Sequence, residues 1–253
     1  MTPARTIRGK SRWVAVVLLA GLLFPLQPWA AATVERKDPA DWLVDAQRAY
    51  DNVEDYVAIL HRQERFDGHL LEKETVLLKF KKPFKVYLRW VAQPHQGREV
   101  MYADGWNANR LMAHEGGILG FITMNLDPQG FLAMRQSRYP VTDTGIGRLL
   151  EVLAEKLARA TATDELEIIG SDVSAVYGRK TQRIEAVLSG GQLERDASCR
   201  VIVHFDSEKK LPINIETYDG SGRLLEAYGY EDLKLNPGLT DVDFDPGNPA
   251  YNF

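Results

Sequence analysis

The stretch from Glu54 to Gly105 constrains the fold more than any other part of the chain. It divides into four runs: Tyr56–Arg65, Glu72–Phe80, Lys85–Val91 and Arg98–Ala103. Short turn-like pieces separate them, Phe66-Asp67-Gly68-His69, Lys81-Lys82-Pro83-Phe84 and Gln93-Pro94-His95-Gln96-Gly97. In the second run Val76, Leu78 and Phe80 alternate with Thr75, Leu77 and Lys79. In the third, Val86, Leu88 and Trp90 alternate with Lys85, Tyr87 and Arg89. A period of two with one apolar face marks strands of a half-covered sheet. Turns this short make sequential strands antiparallel neighbours. The centre of the chain therefore reads as a meander whose apolar face must meet a helix, a second sheet or a ligand.

Two helices are available to cover it. Asp38-Pro39 supplies an N-cap residue followed by proline at the first helical position, and Trp42, Ala46, Ala49, Tyr50 and Val53 then fall at helical spacing. From Thr144 to Ala160, Ile146, Leu149, Leu150, Leu153 and Leu157 mark one face; Glu151, Glu155, Lys156 and Arg159 mark the other. Further strands are expected at Ala108–His114, Glu165–Gly170, Val173–Tyr177, Thr181–Leu188, Cys199–Asp206, Leu211–Tyr218 and Leu224–Leu235. A sheet of ten or eleven strands tends to curl or close. The fold class is thus mainly β (α+β): a strongly curved antiparallel sheet, an unclosed barrel with two covering helices, in a single domain over 33–253. Between the two halves, Ile118 to Tyr139 is apolar without a period and is broken by Gly120, Asp127-Pro128 and Gly130. A segment of that kind lines a core or forms the rim of an apolar cavity. Tyr251 and Phe253, at the end of an Asp/Pro-rich tail, are placed to dock back on the body.

Residues 1–32 read as a secretion signal rather than as fold. Arg5, Arg8, Lys10 and Arg12 precede an apolar run from Trp13 to Leu26, and Ala30-Ala31-Ala32 offers small residues for cleavage after Ala32. The run is shorter than the roughly 20 residues a span needs, so no stable membrane insertion is expected once it is removed. No cysteine lies near the cleavage site, so the expected product is a periplasmic protein and not a lipoprotein. Losing four cations and no acids takes the formal charge from −4 to −8. An acidic chain is a poor partner for nucleic acid and for anionic lipid headgroups. The single cysteine, Cys199, has no partner for an internal disulfide and sits in an alternating strand, where it reads as a small hydrophobe.

The sequence offers little catalytic chemistry. There is no Gly-x-Ser-x-Gly, no His-Glu-x-x-His and no phosphate-cradling glycine loop. His61, His69, His95, His114 and His204 are scattered, none at metal-ligand spacing, so no metal and no cofactor is expected. Glu64 and Glu99 are placed on neighbouring strands, paired with Arg62, Arg89 or Arg98 on the wet face. The competing reading makes them an acid/base pair of a hydrolase. Asp241, Asp243 and Asp245 alternate but lack the glycine and bidentate glutamate of a calcium loop; they read as a solvated edge.

A resemblance adds to this. Tyr56…His61-Arg62-Gln63-Glu64-Arg65-x-x-Gly68 is followed by Lys79-Phe80-x-x-Pro83-Phe84-x-Val86-Tyr87. Then come Gly97-Arg98-Glu99-Val100, Arg138-Tyr139-Pro140 and the closing Asp243-Phe244…Asn248-Pro249-x-Tyr251-x-Phe253. Together these resemble the secreted bacterial family known as Domain of Unknown Function 1571, from about Asp41 to the end. More distantly the layout is similar to the fold of the periplasmic lipoprotein carrier LolA. That likeness implies an apolar cavity for lipidated proteins or other acyl ligands. The expected function is non-catalytic binding or carriage of a lipid or acylated ligand between sheet and helices. The expected lining is Leu78, Phe80, Leu88, Trp90, Phe121, Met124, Leu149 and Leu153. The alternative is an envelope regulatory or scaffold protein that binds a protein partner through sheet edges and the tail.

Overall fold

The computed structural model describes residues 38–117, 122–189 and 198–253; the expected leader and Phe121 lie outside them. Helix α1 (Pro39–Asp51) starts as its sequence dictates, with the Asp38 carboxylate accepting from the Ala40 N–H at 2.8 Å. The first half of the sheet follows as β1 (Asp55–Phe66), β2 (His69–Leu70), β3 (Glu74–Lys81), β4 (Lys85–Trp90), β5 (Glu99–Ala103), β6 (Leu111–His114) and β7 (Met124–Leu126). A one-turn helix α2 (Phe131–Met134) and the long α3 (Ile146–Ala162) lead to the second half. That half is β8 (Leu166–Val176), β9 (Arg179–Ser189), β10 (Ser198–Asp206), β11 (Pro212–Asp219) and β12 (Leu224–Leu235).

The twelve strands of the described residues belong to one antiparallel sheet. Its order is β7-β6-β5-β4-β3-β1-β12-β11-β10-β9-β8, with β2 paired to β1 off this path. The two meanders are joined at the middle by β1 and β12, in register Leu60↔Tyr230 and Glu64↔Glu226. The ends, β7 and β8, do not pair with each other, so the sheet is unclosed. Eleven strands about 4.8 Å apart would span roughly 50 Å if flat, far more than two helices about 10 Å wide can cover. Yet one apolar cluster runs from Leu111 on β6 to Ile184 on β9 and includes Ala46, Tyr50, Ile146, Leu150 and Leu153 of the helices. The sheet therefore curves around α1 and α3.

The seat of α3 depends on two glycines. Gly145 has φ +118°, and a Cβ there would lie 2.8 Å from the Tyr56 hydroxyl. That hydroxyl accepts from the Ile146 N–H at 3.0 Å, and the Tyr56 ring stacks on Phe80 with centroids 5.0 Å apart. A Cβ on Gly147 would meet the Tyr50 ring of α1 at 2.7 Å. These close approaches press the start of α3 onto the sheet and against α1.

Several elements differ from the sequence reading. The stretches expected as two strands, Glu165–Gly170 and Val173–Tyr177, form the single β8, with a register shift between Ile168 and Gly170. The mid-chain apolar segment contains β7 and α2, both too short to show a period. Tyr87, expected on the wet face, is fully buried. The tail covers it: Tyr251 stacks on Tyr87 at 4.0 Å, and Phe244, Leu239 and Phe253 complete a second small core with Met101. The three tail aspartates are more than a solvated edge. Asp243 accepts from Lys79 Nζ and Asp241 from Lys85 Nζ, both at 2.7 Å, which clips the tail to β3 and β4. Asp243 also completes a capping box with Thr240.

Candidate ligand-binding site

The inner face of the sheet changes character along its central strands. On β1 it reads Tyr56, Ala58, Leu60, Arg62, Glu64; on β3, read from its far end, Phe80, Leu78, Val76, Glu74; on β12, likewise reversed, Tyr230, Tyr228, Glu226. The apolar end is sealed by the start of α3. Toward the polar end the helix stands off, leaving a hollow of about 140 Å³. Its apolar walls are Leu60 and Val76 on the near strands, Leu88 and Trp90 on β4, Ile215 on β11, and Leu149 and Val152 on α3. Arg62, Glu64, Glu226 and Tyr228 form the polar end, with Tyr139 and Ser137 of the mid-chain segment as rim.

Two further spaces adjoin it. One of about 70 Å³ lies between Leu43, Leu153 and Leu157 of the helices and Ile184, Val201 and Phe205 of β9 and β10. The other, about 290 Å³, lies under α2. It has Val100, Met124, Leu126 and Leu132 in its walls together with Arg62, Arg98, Arg135 and Glu115. Lys156 borders the first and second spaces; Arg62 and Ser137 border the first and third.

The polar end is a connected network. Glu64 accepts from the Tyr228 hydroxyl at 2.8 Å and from the Arg138 N–H at 2.7 Å. Glu226 accepts from Tyr139 at 2.8 Å and Thr217 at 3.2 Å. Arg62 donates to Glu74 and lies 3.8 Å from Glu64. Burial opposes the Arg62 charge, but Glu74 and Glu64 beside it outweigh that and hold its pKa above the ordinary value. Burial, and then Glu64, push the Tyr228 hydroxyl well up; burial and Glu226 do the same to Tyr139. Both phenols therefore stay protonated donors. Trp90 stands beside this network with the guanidinium carbons of Arg62 and Arg98 at 5.5 and 5.3 Å from its ring centroid. The ring is 4% exposed, and its indole N–H has no acceptor among the described residues.

The eight residues expected to line a cavity are distributed unevenly. Leu88, Trp90 and Leu149 meet in the 140 Å³ hollow. Leu153 borders the second space and Met124 the third. Leu78 and Phe80 lie in the packed core where α3 touches the sheet, and neither lines these three spaces. Phe121 lies outside the described residues.

Glu64 and Glu99 are not neighbours, contrary to expectation: β3 and β4 separate their strands, and the two side chains face opposite sides. Glu99 is fully buried beneath the tail, taking the Asn252 amide at 2.7 Å, with Arg89 at 3.9 Å. Glu64 and Arg62, expected on the wet face, are inside. The signal was parity with Tyr56, Ala58 and Leu60, masked because Val57 and Ile59 on the other face are also apolar. Burial pushes the Cys199 thiol up, away from thiolate chemistry. Among the described residues no cluster of three His, Cys, Asp or Glu side chains is arranged to hold a metal ion.

The chain is similar in structure to lipoprotein LppX of Mycobacterium tuberculosis, with TM-score 0.47 and 10% identity over 83% of this chain and 100% of that one. It is similar to the MucA/MucB complex structure of Pseudomonas aeruginosa, with TM-score 0.46 and 16% identity over 82% of this chain and 60% of that one. A LolA superfamily protein from Nitrosomonas europaea matches with TM-score 0.34 and 11% identity over 81% of this chain and 96% of that one. The curated proteins give no match. A family model matches residues 53–253, the whole described sheet and all of α3, and the chain belongs to that family, described as "Protein of unknown function (DUF1571)".

Proposed function

We propose that this protein is a non-catalytic binding protein or carrier for a lipid or acylated molecule. It acts in the periplasm after export, with the acyl chain held between α3 and the sheet. The observation that carries this reading is an apolar hollow that both halves of the sheet and α3 share but do not fill. Packed interiors leave few voids of this size. A cavity of about 150 Å³ accepts a benzene, so the hollow as it stands takes about six carbons. At ~0.8 kcal/mol per methylene that is about 5 kcal/mol gross, comparable to the cost of association itself. Useful affinity therefore needs a longer chain, extended past Ser137 or Lys156 into the adjoining spaces. The weak grip of each segment suits a carrier that must also release its cargo.

The test is native mass spectrometry of protein taken from the periplasm, with titration of the delipidated protein by a fluorescent fatty acid. Co-purified lipid and saturable uptake support the reading. Absence of both sinks it. The alternative is a protein partner held through sheet edges and the tail; of these the tail offers little free surface, because Tyr251 and Phe253 are spent on the protein's own Tyr87, Met101 and His114.

A further inference from the structure

We propose that the guest is an amphiphile with an anionic, oxygen-rich head, its tail under α3 and its head among Arg62, Arg98 and Arg135 beside Trp90. This deepens the carrier reading and rests on it. Three observations point the same way. First, the indole N–H of Trp90 is buried without an acceptor, and such groups are rarely left unmade in a folded protein. Second, the space that adjoins the hollow across Arg62 and Ser137 is bordered by three arginines, of which Arg62 is paired with Glu74 and Arg98 with Glu115. Glu115 is taken by Arg98 at 2.9 Å, while Arg135 has no ionic partner among the described residues. Third, the carboxylates nearby are already engaged: Glu74 by Arg62, Glu64 by Tyr228 and the Arg138 N–H, Glu226 by Tyr139 and Thr217. They are not free to receive a cationic head.

A neutral guest would fill the apolar walls and leave the buried Trp90 indole N–H without an acceptor and the exposed Arg135 paired only with water. An oxyanion is an acceptor for either group. Guanidinium groups grip carboxylate and phosphate alike through charge-assisted hydrogen bonds, so the shared chemistry is an oxyanion at the end of an alkyl chain, whether a fatty-acid carboxylate or a lipid phosphate.

The experiment uses the delipidated protein and four probes: myristate, myristoyl lysophosphatidate, myristyl alcohol and inorganic phosphate. Affinities are measured by calorimetry for the wild type, Trp90→Phe and Arg135→Gln. The expected result is that at least one anionic amphiphile binds about tenfold or more tightly than the alcohol, the scale of one charge-assisted hydrogen bond. The tighter of the two identifies the head. Each variant should lose most of that preference, read as the ratio of anion to alcohol affinity within the same variant. Trp90→Phe keeps an aromatic ring but removes the donor together with the pyrrole half of the indole, so Arg135→Gln, at an exposed position, decides if the smaller ring disturbs the hollow or the fold. Equal binding of alcohol and anions, or a preference that both variants retain, overturns the head assignment while the carrier reading stands. Phosphate that binds as tightly without a tail overturns the amphiphile. Failure of every probe removes the carrier reading and this inference together.

Discussion

Filling the hollow separates a ligand site from an imperfectly packed core. Leu149 stands on α3 at the wall of the 140 Å³ space and is only partly buried. Leu149→Trp adds six heavy atoms pointed into that space. If they displace as few as two methylenes of a guest, the loss is ~1.6 kcal/mol, or about fifteenfold in affinity. Filling a void stabilises a fold by roughly 0.5–2 kcal/mol, so the melting temperature should stay level or rise. The assay pairs thermal unfolding of the ligand-free protein with titration by a fluorescent fatty acid. Weaker uptake by a protein that melts no lower places the chain in this hollow. Uptake equal to wild type, with the melting temperature raised, refutes the reasoning: the space would then be a packing fault, and any acyl guest would sit elsewhere.

Other expectations follow from the same geometry. Leu78→Ala, in the sealed part of the core and fully buried, should cost about 2–5 kcal/mol in urea unfolding and leave the stoichiometry of lipid uptake unchanged. Gly145→Ala forces a side chain onto φ +118° and against Tyr56; a loss of about 1–3 kcal/mol is expected, and a neutral substitution would contradict the seating of α3. Tyr251→Ala strips the cover from Tyr87 and should lower stability by about 2 kcal/mol, with a visible change in near-ultraviolet dichroism. Burial, first among the causes, lowers the pKa of His95 and His204 below the ordinary 6.5. The unfolded chain then binds those protons more readily, so stability should fall as pH drops below about 6.5. A flat profile between pH 7 and 5 would contradict that burial.

How far the sequence reveals this fold depends on where the information is local. Strand β12 has the bounds its sequence suggests because the Asp219-Gly220-Ser221-Gly222 turn fixes its start, although its register shifts near Asp232. Val76, Leu78 and Phe80, with Val86, Leu88 and Trp90, share the inner face as their spacing requires. Tyr87 is different: its second cover arrives from residues more than 150 positions later, which no window on β4 contains. The site divides likewise. Leu88, Trp90 and Leu149 are legible as apolar members of periodic elements. Their meeting in one hollow, and the exclusion of Leu78 and Phe80, depends on how closely glycines let α3 approach. The arginine and glutamate end of the hollow was hidden because β1 starts apolar on both faces.

The pairing of the first strand with the last has a consequence for how the polypeptide comes into being. The Tyr228–Glu64 hydrogen bond joins groups 164 residues apart, so the seam at the centre closes only after nearly the entire domain is made. Until then the leading meander presents β1 as a long naked margin, the kind of surface to which stray strands adhere. Contacts this remote also slow folding. Closure of this seam should therefore be the step at which a chaperone matters most.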